Sequence, residues 1–369
     1  MTKTVAATTL NIMRYVVIMA GGSGTRLWPL SKQGTPKQLL KIIEGKSLLQ
    51  KAFERATALV PAEQVLVVTG KPYLDVVKGQ LPEVKDENLL GEPEGRDSLN
   101  AAAWAAAVIA ERDPEAVIAQ VTADHLIDPL KKFVKAFEKA FTVAEESPKT
   151  LVTLGVIPTF AHTGFGYIRR GEKIPEVKGA FKVDKFVEKP KRKVAEEYLS
   201  SGKYWWNSGM FVWRASTFLA LLKQYFPENY KGVTEIAKDP AKVDEIFPTL
   251  VKTSIDYGIM EPVTNGKSKA TVVVVALNVD WRDVGGFGSL AEILDNDAQG
   301  NSTYGNTITL DAHDNIIYND EDDSIIGVIG VNDLVIVRTA DATLVVPADK
   351  AEKIKKLVAK LAERDARFV

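Results

Sequence analysis

The sequence predicts an α/β protein: a mostly parallel, mixed sheet wrapped by helices, then a small all-β unit and a closing helix. Three observations carry that expectation. The apolar run Tyr15-Val16-Val17-Ile18-Met19-Ala20 stops at Gly21-Gly22-Ser23-Gly24, the pattern of a buried strand entering a tight loop. Strand-like and helix-like segments then alternate through the first half, an order that favours parallel strands joined by helical crossovers. Near Asp295 the composition changes to short apolar runs split by Asp, Asn and Gly.

The elements follow in order. Leu48, Leu49, Ala52, Phe53, Ala56 and Leu59 recur at helical spacing. Val65 to Val68 forms a second strand, and the alanine-rich stretch Asn100 to Ala110 a buried helix. Val117 to Val121 is another strand, ending at Asp124. Phe133, Phe137 and Phe141 share one face of the next helix. Gly164-Phe165-Gly166-Tyr167-Ile168 starts a glycine-bounded strand; Lys191 to Ser201 and Ser216 to Tyr225 are helices. Residues 226–265 form short, proline-punctuated helices, and Val272 to Ala276 a buried strand. Ile316 to Tyr318, Ile325 to Ile329 and Leu334 to Val337 are short strands of the all-β unit. Asp349 to Arg364 closes the chain as an amphipathic helix with Ile354, Leu357, Val358 and Leu361 on one face. The expected division is a disordered start over 1–14, a catalytic domain over 15–295 and a C-terminal unit over 296–369. Asp295 to Gly300 faintly resembles a calcium loop, but Asn306 stands where the closing glutamate is due.

Bulk properties exclude several function classes. A net charge of -1 gives no global attraction to nucleic acid or anionic membrane. With no cysteine, thiolate catalysis, disulfides and cysteine-ligated zinc are ruled out. His125, His162 and His313 are too scattered to suggest a metal motif, so any metal falls to carboxylates, as a hard ion such as Mg²⁺. No apolar run approaches the ~20 residues of a membrane helix, and the start does not resemble a signal peptide. The cytoplasm is the expected compartment. Asn301-Ser302-Thr303 matches a glycosylation acceptor, which matters only in a secreted protein.

The loop after the first strand holds the chemistry. Gly21, Gly22, Gly24 and Thr25 let backbone N–H groups approach an anion, and Arg26 and Lys37 add positive charge. The spacing rejects two common phosphate motifs. A dinucleotide GxGxxG from Gly22 would need glycine at Leu27, and a Walker A ending at Gly45-Lys46-Ser47 would need it at Leu40.

GGSGTRLWPLS followed by Thr35-Pro36-Lys37-Gln38 resembles the signature of the sugar-1-phosphate nucleotidylyltransferases, and its RLWPLS version the mannose-1-phosphate guanylyltransferase branch. Gly91 to Asp97, Thr122 to Ile127, Phe186-Val187-Glu188-Lys189-Pro190, Trp206 to Phe211, Ser254-Ile255-Asp256-Tyr257 and Trp281 to Gly285 follow in the family's order. The resemblance implies a Rossmann-like domain and a β-helix-like C-terminal unit. It implies guanylyl transfer from GTP to mannose 1-phosphate with Mg²⁺. Another hexose phosphate and nucleotide pair, or a catalytically silent relative, stays open from the residues alone. Because the chain ends without the isomerase domain some members carry, a single-activity form is expected.

The same resemblance gives residue roles. Arg26 and Lys37 are the catalytic cations; Gly21, Gly22, Gly24, Thr25, Glu92 and Gly95 bind the nucleotide, with Glu92 reading guanine N1–H and N2–H₂. Arg96 to Asn100 departs from the branch's Thr-Ala-Pro pattern there. Gly166, Glu188, Lys189 and Asn207 bind the sugar phosphate, and Asp124 and Asp283 the metal. From the residues alone the aspartates would equally serve as caps or turn residues, and Glu188-Lys189 as a surface pair. His125 is a structural neighbour, and Trp205, Trp206 and Trp213 are core or pocket wall. Since every site residue precedes Asp295, the C-terminal unit is expected to serve stability or assembly, with a homo-oligomer, a dimer, as the partner state.

Overall fold

The computed structural model describes residues 12–22, 24–32 and 34–369. The expected disordered start falls mostly outside them, and Arg14 already opens the first strand. The strands of the first region are β1 (Arg14–Ala20), β2 (Val65–Gly70), β3 (Leu89–Glu92), β4 (Val117–Thr122), β5 (His125–Asp128) and β6 (Thr150–Val156). β7 (Tyr167–Lys173), β8 (Ala180–Val187), β9 (Tyr204–Arg214), β10 (Thr271–Leu277) and β11 (Asp280–Asp283) follow. Nine of them form one sheet in the order β3-β2-β1-β4-β9-β6-β10-β8-β7. β3, β2, β1 and β4 run parallel. β9 enters antiparallel between β4 and β6, and β8 and β7 continue antiparallel beyond β10.

Period-two alternation builds two core layers. Val16, Ile18 and Ala20 of β1 face one layer, with Phe133, Phe137 and Phe141 of the helix Leu130–Glu146. Tyr15 and Val17 face the other, with the alanine-rich helix Asp97–Arg112. That helix is buried nearly all round, because the helices Ala215–Tyr225 and Pro227–Lys238 cover its outer side.

β5 and β11 stand apart as an antiparallel ribbon. Asp124 therefore does not simply end a strand; it sits in the gap between β4 and β5.

The C-terminal region comprises β12 (Asp295–Asn296), β13 (Ser302–Tyr304), β14 (Thr307–Leu310), β15 (Ile316–Asn319), β16 (Ile326–Ile329), β17 (Leu334–Arg338) and β18 (Thr343–Pro347). β13, β15 and β17 stack in parallel, and β14 and β16 form a second parallel wall. This is the cross-section of a short β-helix. Buried asparagines tie successive coils: Asn315 donates from N and Nδ2 to Asn301 Oδ1 (3.0 and 2.9 Å), and Leu334 N donates to Asn315 Oδ1 (3.0 Å). Asn301 is fully buried and leads directly into β13, so its glycosylation-like triplet is part of the β-helix core. The calcium-like stretch closes on itself, as Asp297 Oδ1 accepts from Gln299 N and Asn301 N, both at 2.9 Å.

The C-terminal unit is not remote from the phosphate loop. Leu27, Trp28 and Leu30 share a core with Val284, Phe287, Ile316, Val335, Ile354 and Val358. Trp28 Nε1 donates to the Phe368 carbonyl at 2.6 Å. The closing helix Ile354–Arg364 meets this core along a narrower stripe than expected, centred on Ile354 and Val358, and Leu357 is turned toward solvent. No helix among the described residues is long and apolar enough to cross a membrane.

Candidate active site

The glycine loop leaves the carboxyl end of β1, where a parallel sheet opens a crevice. Gly22 (φ +96°) and Gly24 (φ +61°) take left-handed conformations that an L side chain resists. Gln38 Nε2 donates to the carbonyls of Ala20, Gly21 and Gly22 at 2.7, 3.4 and 3.3 Å, tying the loop down. Ser31 Oγ donates to Gly24 O at 2.6 Å. A β-carbon at Gly24 would lie 2.8 Å from Lys37 Cβ, so this glycine lets Lys37 approach. Thr25 and Arg26 begin a short 3₁₀ turn. Arg26 pairs with Glu352 of the C-terminal unit at 3.3 Å.

The ribbon joins the two aspartates. Its register sets His125 opposite Asp283, which brings Asp124 alongside. Lys37 Nζ lies 2.7 Å from Asp124 Oδ2 and 3.7 Å from Asp283 Oδ1, and donates to Val284 O at 3.1 Å. Burial opposes ionisation of Asp124, but His125 and Lys37 outweigh it and hold the carboxyl at about 2. Burial pushes the His125 imidazole down, against the pull of the Asp124 and Asp283 carboxylates. His125 Nδ1 accepts from Trp281 Nε1 at 3.2 Å and faces Thr122 Oγ1 at 2.5 Å.

The donor set fits a hard divalent cation. Ligand atoms of Asp124, His125 and Asp283 lie within 4.8 Å of one another. Asp283 Oδ1 is buried without a hydrogen-bond partner, an arrangement that favours a cation beside it.

A recess of about 260 Å³ runs from this cluster to the sugar candidates. Asp124 and Asp283 line one part, and Gly166, Glu188, Asn207 and Asp256 another. Gly166 lies under Glu188: a β-carbon there would sit 2.7 Å from Glu188 Oε2. Lys189 adopts a left-handed φ of 42° and donates to Glu188 Oε1 at 2.6 Å. Asn207 N donates to Gly166 O (2.8 Å), and Asn207 Nδ2 to Asp256 Oδ1 (2.8 Å). Burial, then Glu188 and Glu261, push the Asp256 carboxyl up to about 6 against the Asn207 hydrogen bond.

At the end of β3, Glu92 is buried and faces the loop: Gly21's β-carbon would lie 3.5 Å from Glu92 Oε2. Burial, with Asp97, pushes its carboxyl up to about 7. Gly95 follows in an open bend, and Arg96 pairs with Glu94.

Gln38, Asp256 and the Trp281–His125 pair shape the site although the sequence reading gave them no role. Gln38 and Asp256 belong to the quoted motifs, but their partners lie on segments whose approach no local periodicity reveals.

Residues 15–300 match the family model described as nucleotidyl transferase, and residues 305–361 the model of a MannoseP isomerase/GMP-like beta-helix domain. A mannose-1-phosphate guanylyltransferase of Salmonella muenchen is 40% identical over 353 residues, 93% of this chain and 72% of the relative. The enzyme of that name from Escherichia coli K12 is 37% identical over 93% of this chain and 72% of its own length. A crystal structure described as mannose-1-phosphate geranyltransferase from Thermus thermophilus superposes with a TM-score of 0.83. It is 32% identical and the match covers 95% of this chain and 99% of that one. With the nucleotidyl transferase model matched over residues 15–300 and the β-helix model directly after it, this protein belongs to the nucleotidyl transferase family of enzymes.

Proposed function

We propose that the chain transfers a guanylyl group from GTP to α-D-mannose 1-phosphate, giving GDP-mannose and pyrophosphate. A phosphate oxygen of the sugar phosphate attacks the α-phosphorus in line, and the bond to the leaving pyrophosphate breaks. The nucleophile is already an anion, so alignment and positive charge matter more than a base. One observation carries the reading: a single recess is lined by the carboxylate pair Asp124 and Asp283, next to Lys37, and by Glu188 and Asn207, groups able to bond a polyol. The Salmonella muenchen and Escherichia coli relatives, both named mannose-1-phosphate guanylyltransferase, support the choice of GTP and mannose 1-phosphate.

In this reading the N–H groups of Gly21, Gly22, Gly24 and Thr25 cradle the triphosphate. Lys37 stabilises charge at the α-phosphate, and Arg26 leaves Glu352 for the departing pyrophosphate. Asp124 and Asp283 would hold Mg²⁺, which screens the two polyanions and orients the α-phosphate. Glu92 accepts from guanine beside the bend at Gly95. Gly166, Glu188 and Asn207 take the sugar, and Lys189 its phosphate. GTP as donor agrees with a cytoplasmic setting, and a homodimer is the expected assembly.

³¹P NMR tests the reaction. GTP, mannose 1-phosphate and Mg²⁺ with the protein should yield equal amounts of a nucleoside diphosphosugar and pyrophosphate. GTP hydrolysis to GDP, or no change, would overturn the reading.

A further inference from the structure

A buried cation stands behind the carboxylate pair. Arg55 belongs to the helix Leu48–Thr57 and is only 6% exposed. That helix is a firm mount, because a reciprocal cap starts it: Ser47 Oγ accepts from Gln50 N (3.1 Å) and Gln50 Oε1 from Ser47 N (2.9 Å). The guanidinium packs over the Phe133 ring, with Cζ 5.9 Å from the ring centroid. Nη2 donates to the His125 carbonyl at 2.9 Å. Among the described residues Arg55 makes no ion pair, and it borders a cavity of about 530 Å³. Burial lowers its pKa to about 10 against the pull of Asp128, Asp124 and Glu54, so it stays charged at neutral pH.

Packing does not account for this arrangement. A charge taken from water without an ion-pair partner is costly, and a neutral donor would satisfy one carbonyl at lower cost. The carbonyl that Arg55 holds sets it apart. His125 directly follows Asp124 and lies opposite Asp283 in the β5–β11 ribbon, so one anchor there fixes both segments that carry the carboxylates. A second grip comes from Lys37, which donates to Val284 O at 3.1 Å, while Val284 N donates to Asp124 O at 3.3 Å. Lys37 faces the carboxylates themselves and would have to turn to an incoming phosphate. Arg55 lies outside the recess that Asp124 and Asp283 line, and its hold does not depend on what fills that recess.

We propose that Arg55 is a positioning residue: its buried guanidinium holds the His125 carbonyl and thereby sets the mutual placement of Asp124 and Asp283. Loss of a group that orients metal ligands typically costs about 10–100-fold in affinity or activity. The expected effect on turnover rests on the reading of the two aspartates as the cation's carboxylates.

Two variants test it. Arg55→Lys keeps the charge and shortens the reach, and Arg55→Ala leaves room beside the cavity for a free guanidinium ion. Hydrogen exchange on the ligand-free proteins reads the placement without any substrate. Amides of residues 125–128 and 280–283 should exchange about tenfold faster in Arg55→Lys, with β1 and β4 as protected as in the wild type. In turnover with Mg²⁺, both variants should lose about 10–100-fold in kcat, with KM for the sugar phosphate within about twofold of the wild type. Millimolar guanidinium should restore turnover to Arg55→Ala, and methylammonium, of equal charge but without the fork, should not. If Arg55→Ala does not fold, the exchange and kcat of Arg55→Lys decide. Unchanged exchange in the ribbon, exchange that rises equally across the whole sheet, or equal rescue by methylammonium would overturn the proposal. A faster ribbon with wild-type kcat would uphold the grip of Arg55 and refute the cation reading of the aspartates.

Discussion

Lys37 Nζ sits where the two aspartates would draw a divalent cation, 2.7 Å from Asp124 and 3.7 Å from Asp283. Two cations that close repel by several kcal/mol in a partly buried site. Lys37→Met should therefore strengthen Mn²⁺ binding to the ligand-free protein by roughly tenfold or more, and lower kcat by at least ~10²-fold. Mn²⁺ titration followed by electron paramagnetic resonance checks the first part; an unchanged affinity would remove Lys37 from the cation's place. Glu92 gives a pH test. Its carboxyl is raised from 4.5 to about 7 in the folded state. The folded protein thus favours the protonated form, and stability is lost as pH rises from the unfolded value through about 7. Glu92→Gln should stabilise the protein at pH 8 by on the order of 2 kcal/mol, and the advantage should shrink at pH 5. Denaturant unfolding at the two pH values measures it, and equal effects at both would place the carboxyl in water.

At the scale of elements, the glycine loop and the β5–β11 ribbon divide the work. The loop places Lys37, and the ribbon brings the aspartates to it. Gly24→Ala should force φ +61° on a side chain and drive Cβ to within 2.8 Å of Lys37 Cβ. The expected result is a stability loss of about 1–2 kcal/mol and a turnover loss larger than that explains, read by unfolding and initial rates together. Wild-type turnover would show that Lys37 does not depend on the loop. The loop was legible in sequence because glycine spacing and a flanking strand are local signals. The ribbon was not: His125 to Asp128 and Asp280 to Asp283 are short and far apart in the chain, and only their pairing makes them one element. The family motifs marked Asp124 and Asp283, while their contact depends on that long-range register. The helix Leu130–Glu146 shows the opposite case, with Phe133, Phe137 and Phe141 all buried as their spacing required. The β-helix coils lacked a visible repeat because Ser302, Ile316 and Val335 stack across loops of unequal length.

For the whole molecule, the C-terminal unit packs against the phosphate loop itself. Its removal would expose Leu27, Trp28 and Leu30 on the phosphate loop itself, so chemistry and stability should fall together. Ile308, Leu310 and Ile329 of β14 and β16 are 62%, 59% and 69% exposed and share one face. If the expected homodimer forms, this exposed apolar face is the surface it would cover. Light scattering should give a dimer for the wild type and a monomer for Leu310→Glu with Ile329→Glu. A monomeric wild type, or a dimer in both, would contradict that assignment.

The central claim is that a guanylyl group passes from GTP to mannose 1-phosphate. Pyrophosphate release over a matrix of GTP, ATP, UTP and CTP against mannose, glucose and galactose 1-phosphates, each with Mg²⁺, tests it most directly. The expected outcome is fastest release for GTP with mannose 1-phosphate and none in excess chelator. Faster release with another pair, or release that does not depend on any sugar phosphate, would contradict it.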